Sequence, residues 1–223
     1  AGLDLEAMQT FDDVVILESM GRDTGWLAAA STLLKESDDD APHLIYVPEI
    51  PFDEQQFLDA VARVHERLGR VFVVIAEGVR DAAGQIIGQQ GEKDALGRTI
   101  HGLSAGPAAH LTTLVRGRLG LQTRFFRPGL IGRSLSACVS EVDFQEAFQV
   151  GEAAANLLVA GQSGVMVTLE RALQDDRRGL SPTSPYTIGT VSLVETAMVD
   201  LKRLPREYLN ADGTMINEAF REF

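Results

Sequence analysis

The chain has 223 residues, 45% of them hydrophobic and 23% charged, which suits one large globular domain or one domain with part of a second. A net charge of -12 argues against nucleic acid and against an anionic membrane as partner. No apolar run approaches the roughly 20 residues that cross a bilayer. No signal peptide is legible, and Cys138 as the single cysteine excludes a disulfide framework and a thiolate metal cluster. A cytoplasmic protein is expected.

Ala1 to Met8 reads as helix tail entering a connection, and a first residue other than Met suggests a fragment or a processed piece. Val14–Glu18 is strand-like, and Glu18-Ser19-Met20-Gly21-Arg22-Asp23-Thr24-Gly25-Trp26 then forms a strand–loop–helix turn. Such turns sit at the carboxyl ends of strands in open α/β sheets, where ligands bind. Two glycines permit close backbone approach, Arg22 offers a fork of donors, and a following helix N-terminus adds free N–H groups. From the turn alone, an anion site and a plain βα connection with a surface arginine are equally good readings.

Trp26–Lys35 is Ala/Leu-rich and helical, and His43–Pro48 is a buried strand closed by proline. Asp53–Leu68 has the apolar spacing of an amphipathic helix, with Phe57, Val61, Val64 and Leu68 on one face, Asp53 as N-cap and Gly69 as stop. Val71–Ala76 is a buried strand ending at Glu77-Gly78, and Val79–Ser104 is a polar excursion over the active face. Helix resumes over Pro107–Leu119 and strand over Leu121–Phe126. Ser140–Ala160 is the strongest helix, with Asp143 as cap, Phe144 and Phe148 on one side, and Gly161 beyond its end. Val165–Leu169 is a strand, Gly179–Pro185 a loop, Val191–Val194 an edge strand and Met215–Phe223 a terminal helix. Strands alternating with helices give an α/β fold with a mainly parallel sheet and helices on both faces.

Met20-Gly21-Arg22, Pro48-Glu49 and Glu77-Gly78 should share one sheet edge, so Glu77 and Arg22 could face one crevice. There a carboxylate accepts hydroxyl hydrogen bonds and an arginine grips a phosphate; a solvated strand end or a helix cap is the plain alternative for Glu77. Glu49 reads as structural. Arg116, Arg118, Arg124, Arg127 and Arg133 form a basic island in an acidic chain, suited to a small phosphorylated ligand. Arg124 and Arg133 flank the Pro128-Gly129 turn and either converge on a dianion or are ordinary surface arginines. His43, His65, His101 and His110 lack metal-ligand spacing. No Walker loop or glycine-rich phosphate cradle is present.

Together these segments resemble the phosphofructokinase family. Glu18-Ser-Met-Gly-Arg22 with Gly25-Trp26 is similar to its E-x-M-G-R-x-x-G-W element, and Pro48-Glu49 and Ala76-Glu77-Gly78 to its next strand ends. Arg124 with Pro128-Gly-Leu-Ile-Gly-Arg133-Ser134 resembles its late arginine-containing turn, usually P-G-x-x-Q-R-S. Ser140-Glu-Val-Asp143, Gly164-Val-Met-Val and Leu204-Pro-Arg-Glu-Tyr-Leu-Asn210 complete six motifs in order.

The resemblance implies that Met20, Gly21 and Arg22 hold fructose 6-phosphate, that Glu77 accepts its hydroxyls, and that Arg124 and Arg133 grip its 6-phosphate. It implies a 6-phosphofructokinase of glycolysis, a homo-oligomer, with pyrophosphate or ATP as donor and Mg²⁺ as cofactor. Residues 1–138 would be the sugar-phosphate domain, and 139–223 the part that returns to the donor domain. Three positions depart from the pattern: Gly132 replaces the usual Gln, Leu130 a histidine of ATP-dependent bacterial members, and Asp13 an arginine that reaches a neighbouring subunit. The overall pattern leans toward pyrophosphate. The family's Gly-Gly-Asp donor loop and T-I-D-x-D segment are absent. No catalytic or metal residue is therefore expected in this chain, Mg²⁺ would bind outside it, and the chain alone would be inactive. Two other readings stand beside this one: a non-catalytic sugar-phosphate-binding or regulatory module, and a piece serving only in assembly.

Overall fold

Runs such as Val71-Phe-Val-Val-Ile-Ala76 have no polar alternation, which a parallel strand covered on both faces requires. In the computed structural model this run is buried along its whole length. The structure describes residues 12–88, 106–129, 134–171, 186–197 and 201–223.

The chain forms two compact units, one of Ala1–Gly129 with Leu201–Phe223 and one of Leu130–Asp200. The first holds β1 (Val14–Ser19), α1 (Trp26–Ala30), β2 (Leu44–Tyr46), α2 (Glu54–Leu68), β3 (Val71–Ala76), α3 (Gly106–Leu119) and β4 (Thr123–Phe126). Its four strands are parallel in the order β2-β3-β1-β4, with Ser19 opposite Ala76 and Leu17 opposite Phe126. Right-handed crossovers place α2 and α3 on one face and α1 on the other. The core fills both faces: Ile16, Ile45, Phe57, Val73, Ile75 and Leu111 are fully enclosed.

The cap expected for α2 is present, since Asp53 Oδ1 accepts from Gln56 N at 2.8 Å and Gly69 closes the helix at φ 68°. α1 is shorter than its composition suggests. Ser31 Oγ and Thr32 Oγ1 donate to the carbonyls of Ala28 and Ala29, and such local bonds compete with helix continuation.

The division between units differs from the boundary expected at residue 138, because the tail belongs with the first unit. Thr214 O accepts from Ile45 N at 2.8 Å on the free edge of β2, and Trp26 Nε1 donates to Lys202 O at 2.8 Å. Tyr208, Phe220 and Phe223 pack their rings around Trp26. The terminal helix is confined to Glu218–Glu222, since Leu209 and Ile216 first pair as a β-bridge.

The second unit holds α4 (Glu141–Val159), β5 (Val165–Arg171), β6 (Tyr186–Ser192) and α5 (Leu193–Ala197). Here β5 and β6 are antiparallel, so the edge strand expected at Val191–Val194 lies earlier and gives way to helix. Ser140 caps α4, accepting from Asp143 N at 3.3 Å, which moves the cap three residues before Asp143. Phe144 and Phe148 are exposed on this helix.

Candidate functional site

Strand order decides where a site can form. The connection after β1 leaves for β2 over one face of the sheet, and that after β3 leaves for β4 over the other. The carboxyl ends of the adjacent pair β1 and β3 therefore flank a switch point, where open α/β sheets bind ligands.

The β1 and β3 turns meet there backbone to backbone. Glu77 N donates to Ser19 O at 2.9 Å, and Gly78 N donates to Gly21 O at 3.1 Å. A Cβ at Gly78 would stand 1.7 Å from Arg22 O, so only glycine permits this approach. Arg80 Nη2 and Asp23 Oδ1, 3.3 Å apart, tie the two loops a second time. Met20, Gly21, Arg22 and Glu77 are thus brought to one edge, with Arg22 exposed and Glu77 half-buried. A guanidinium and a carboxylate there can take a phosphate and hydroxyl groups together.

Two expectations about the turn change. α1 has five residues, too short to build a useful macrodipole, and Gly25 N is bound by Glu49 Oε1 at 3.1 Å. Val47 and Glu49 press against Gly25 and leave no room for a Cβ there. The Glu49 oxygen also accepts from Leu204 N at 2.7 Å, so Glu49 fastens the tail to the base of the turn.

Arg124 is not at this edge. It stands opposite Val15, and its Nη2 lies 3.0 Å from Oδ2 of Asp12, which precedes β1 at the amino end of the sheet. Spacing alone could not reveal this, because the lean of a strand side chain depends on its neighbours. Arg133 lies outside the described residues, so its convergence with Arg124 is not visible. Asp13 accepts from Gln122 N at 2.8 Å and so joins the strand starts.

Among the described arginines of the basic island, Arg127 follows the carboxyl end of β4, and its Nε lies 2.8 Å from buried Glu18 Oε1. In the sequence it is one arginine of the basic island. Only the β1–β4 register distinguishes it from the rest.

The described histidines serve the fold. His43 Nδ1 accepts from Phe72 N at 2.7 Å and its Nε2 faces Asp39 O at 3.2 Å, which sets a neutral ring; burial lowers its pKa to about 4. His110 Nε2 contacts Glu54 Oε1 at 2.8 Å, joining α3 to α2. A cavity beside the edge strand β2, lined by Tyr46, Phe52, Gln56, Arg63 and Thr214, includes none of the turn residues. Among the described residues no three His, Cys, Asp or Glu side chains are grouped so as to hold a metal ion. None of the helices among these residues is long and apolar enough to cross a membrane.

The phosphofructokinase family model matches residues 3–158. A pyrophosphate–fructose 6-phosphate 1-phosphotransferase of Xanthomonas campestris pv. campestris is 34% identical over 225 residues, covering 100% of this chain and 51% of its own. A sulfofructose kinase of Alkalicoccus urumqiensis is 39% identical over 170 residues, covering 76% of this chain and 42% of its own. The crystal structure of a pyrophosphate-dependent phosphofructokinase from Marinobacter aquaeolei superposes with a TM-score of 0.74 at 30% identity, over 99% of this chain and 49% of that one. The chain spans about half the length of these relatives. A family model matched over residues 3–158, with a relative 34% identical across the whole chain and a solved structure superposing on 99% of it, places the chain in the phosphofructokinase family.

Proposed function

We propose that this chain is the sugar-phosphate-binding portion of a 6-phosphofructokinase, holding fructose 6-phosphate while its 1-hydroxyl receives a phosphoryl group. The meeting of Met20-Gly21-Arg22 with Glu77-Gly78 at the switch point carries this reading. Arg22 meets the anionic part of the ligand and Glu77 accepts its hydroxyl hydrogens, while Met20 and Gly21 shape the floor. Arg133 is assigned to the phosphate, and Arg124, facing the opposite edge, serves such a site only from a neighbouring copy in a homo-oligomer.

Pyrophosphate is the preferred donor, since the relatives matching the whole chain are named for it. Donor binding, Mg²⁺ and the base that takes the hydroxyl proton belong on this reading to the other half of such an enzyme, in the cytoplasm and in glycolysis. Charge positioning dominates phosphoryl transfer, so the portion described here contributes acceptor orientation. The sulfofructose kinase relative favours one alternative acceptor, a sugar carrying a sulfonate in place of the phosphate. Competitive titration of fructose 6-phosphate against the sulfonate sugar separates the two: tighter binding of the phosphate supports this reading, and tighter binding of the sulfonate replaces it.

A further inference from the structure

One peptide group links the Met20-Gly21-Arg22 turn to the tail of the chain. Gly21 has φ 144°, a conformation that favours glycine, and the Thr24 carbonyl oxygen lies 2.5 Å from where a Gly21 Cβ would stand. The N–H of that same Thr24–Gly25 peptide donates to Glu49 Oε1 at 3.1 Å. A trans peptide is planar, so its oxygen and its N–H point opposite ways and turn together. Holding the N–H on Glu49 therefore holds the oxygen that packs against Gly21. Val47 limits the peptide further, since a Cβ on Gly25 would stand 2.4 Å from its side chain.

The same Glu49 oxygen accepts from Leu204 N at 2.7 Å, and Leu204 is enclosed in the core. Glu49 Oε2 is shut off from solvent with no hydrogen-bond partner among the described residues, so the side chain acts through Oε1. A carboxylate kept there at a desolvation cost grips both N–H groups in charge-assisted bonds, which are stronger than those to a neutral acceptor. Just beyond Gly25 the tail makes a second attachment. Trp26 Nε1 donates to Lys202 O at 2.8 Å, and its ring lies against Tyr208, Phe220 and Phe223.

We propose that Glu49 is a positioning residue for sugar-phosphate binding: it ties the tail to the Thr24–Gly25 peptide and so sets the shape of Met20-Gly21-Arg22. The tail is then a strap on the acceptor site, and occupancy of the site and tightness of the strap are reciprocally linked. This rests on the sugar-phosphate reading above.

The test titrates fructose 6-phosphate into the unaltered chain, Glu49→Ala, Glu49→Gln and Asp53→Ala, with melting temperature reporting folding. Asp53→Ala removes a helix cap and serves as the control for lowered stability. Amide exchange at Gly25 and Leu204 is followed with and without the sugar phosphate. Glu49→Ala should weaken binding roughly 10-fold, and Glu49→Gln, which keeps an acceptor oxygen, should recover part of that loss. Asp53→Ala should melt lower with affinity unchanged. In the unaltered chain the ligand should slow exchange at Leu204 as well as at Gly25, and in Glu49→Ala its effect should no longer reach Leu204. If the unaltered chain binds the ligand and folded Glu49→Ala matches its affinity, the proposal is overturned and the wider reading stands. An equal loss of affinity in Asp53→Ala, or protection that stops at the turn in the unaltered chain, overturns it in the same way. Should Glu49→Ala unfold, protection at Leu204 in the unaltered chain decides alone. Failure of the unaltered chain to bind fructose 6-phosphate removes the wider reading and this proposal with it.

Discussion

At Gly78 the two turns of the candidate site come into backbone contact, because its missing Cβ admits Arg22 O. Gly78→Ala must push the turns apart, and overpacking of this kind costs about 1–3 kcal/mol. The expected result is a lowered melting temperature together with weakened fructose 6-phosphate binding. His43 supplies a pH prediction. Its pKa falls to about 4 in the folded protein from 6.5, so the unfolded chain binds the extra proton first. Stability is full above about pH 6.5 and declines as pH falls toward 4, by on the order of 3 kcal/mol. Melting temperatures at neutral and mildly acid pH should separate, and His43→Gln should reduce the separation; an unchanged difference would remove His43 as its source. Glu77 and Arg22 were legible as candidates because strand ends in a parallel sheet align. The side toward which Arg124 leans was not, since it is settled by Asp12 across the register.

At the scale of elements, legibility followed how much of the pattern was local. β3 was read to its ends because a doubly covered strand is apolar throughout, and α2 because Asp53 and Gly69 mark both termini. α1 is shorter than its composition implies: Ala and Leu content points to helix beyond Ala30, while Ser31 and Thr32 bond backward and end it. Asp53→Ala removes a single capping bond and should cost about 1 kcal/mol, visible as a lower denaturation midpoint without loss of ligand binding. Glu49 binds across elements, through Gly25 N and Leu204 N. Glu49→Ala should loosen the tail and the turn together, so hydrogen exchange should rise at both 21–30 and 201–208. Exchange confined to one of them would break the proposed link.

Across the whole chain, the α/β class was plain from alternating strands and helices, whereas the division into units was not. A tail with little periodicity gave no sign that it would add to the β2 edge through Thr214 and ring Trp26 with three aromatics. The second unit carries Phe144, Phe148, Val159 and Val194 exposed, and the chain covers about half of its full-length relatives. On the proposed reading, the sheet edge binds the sugar phosphate without the groups that perform chemistry on it. The most direct measurement is calorimetric titration of fructose 6-phosphate into the protein and into Arg22→Ala and Glu77→Gln. The account predicts saturable binding, weakened roughly 10-fold or more by each substitution while melting temperature is retained. Equal affinity in all three proteins would contradict it.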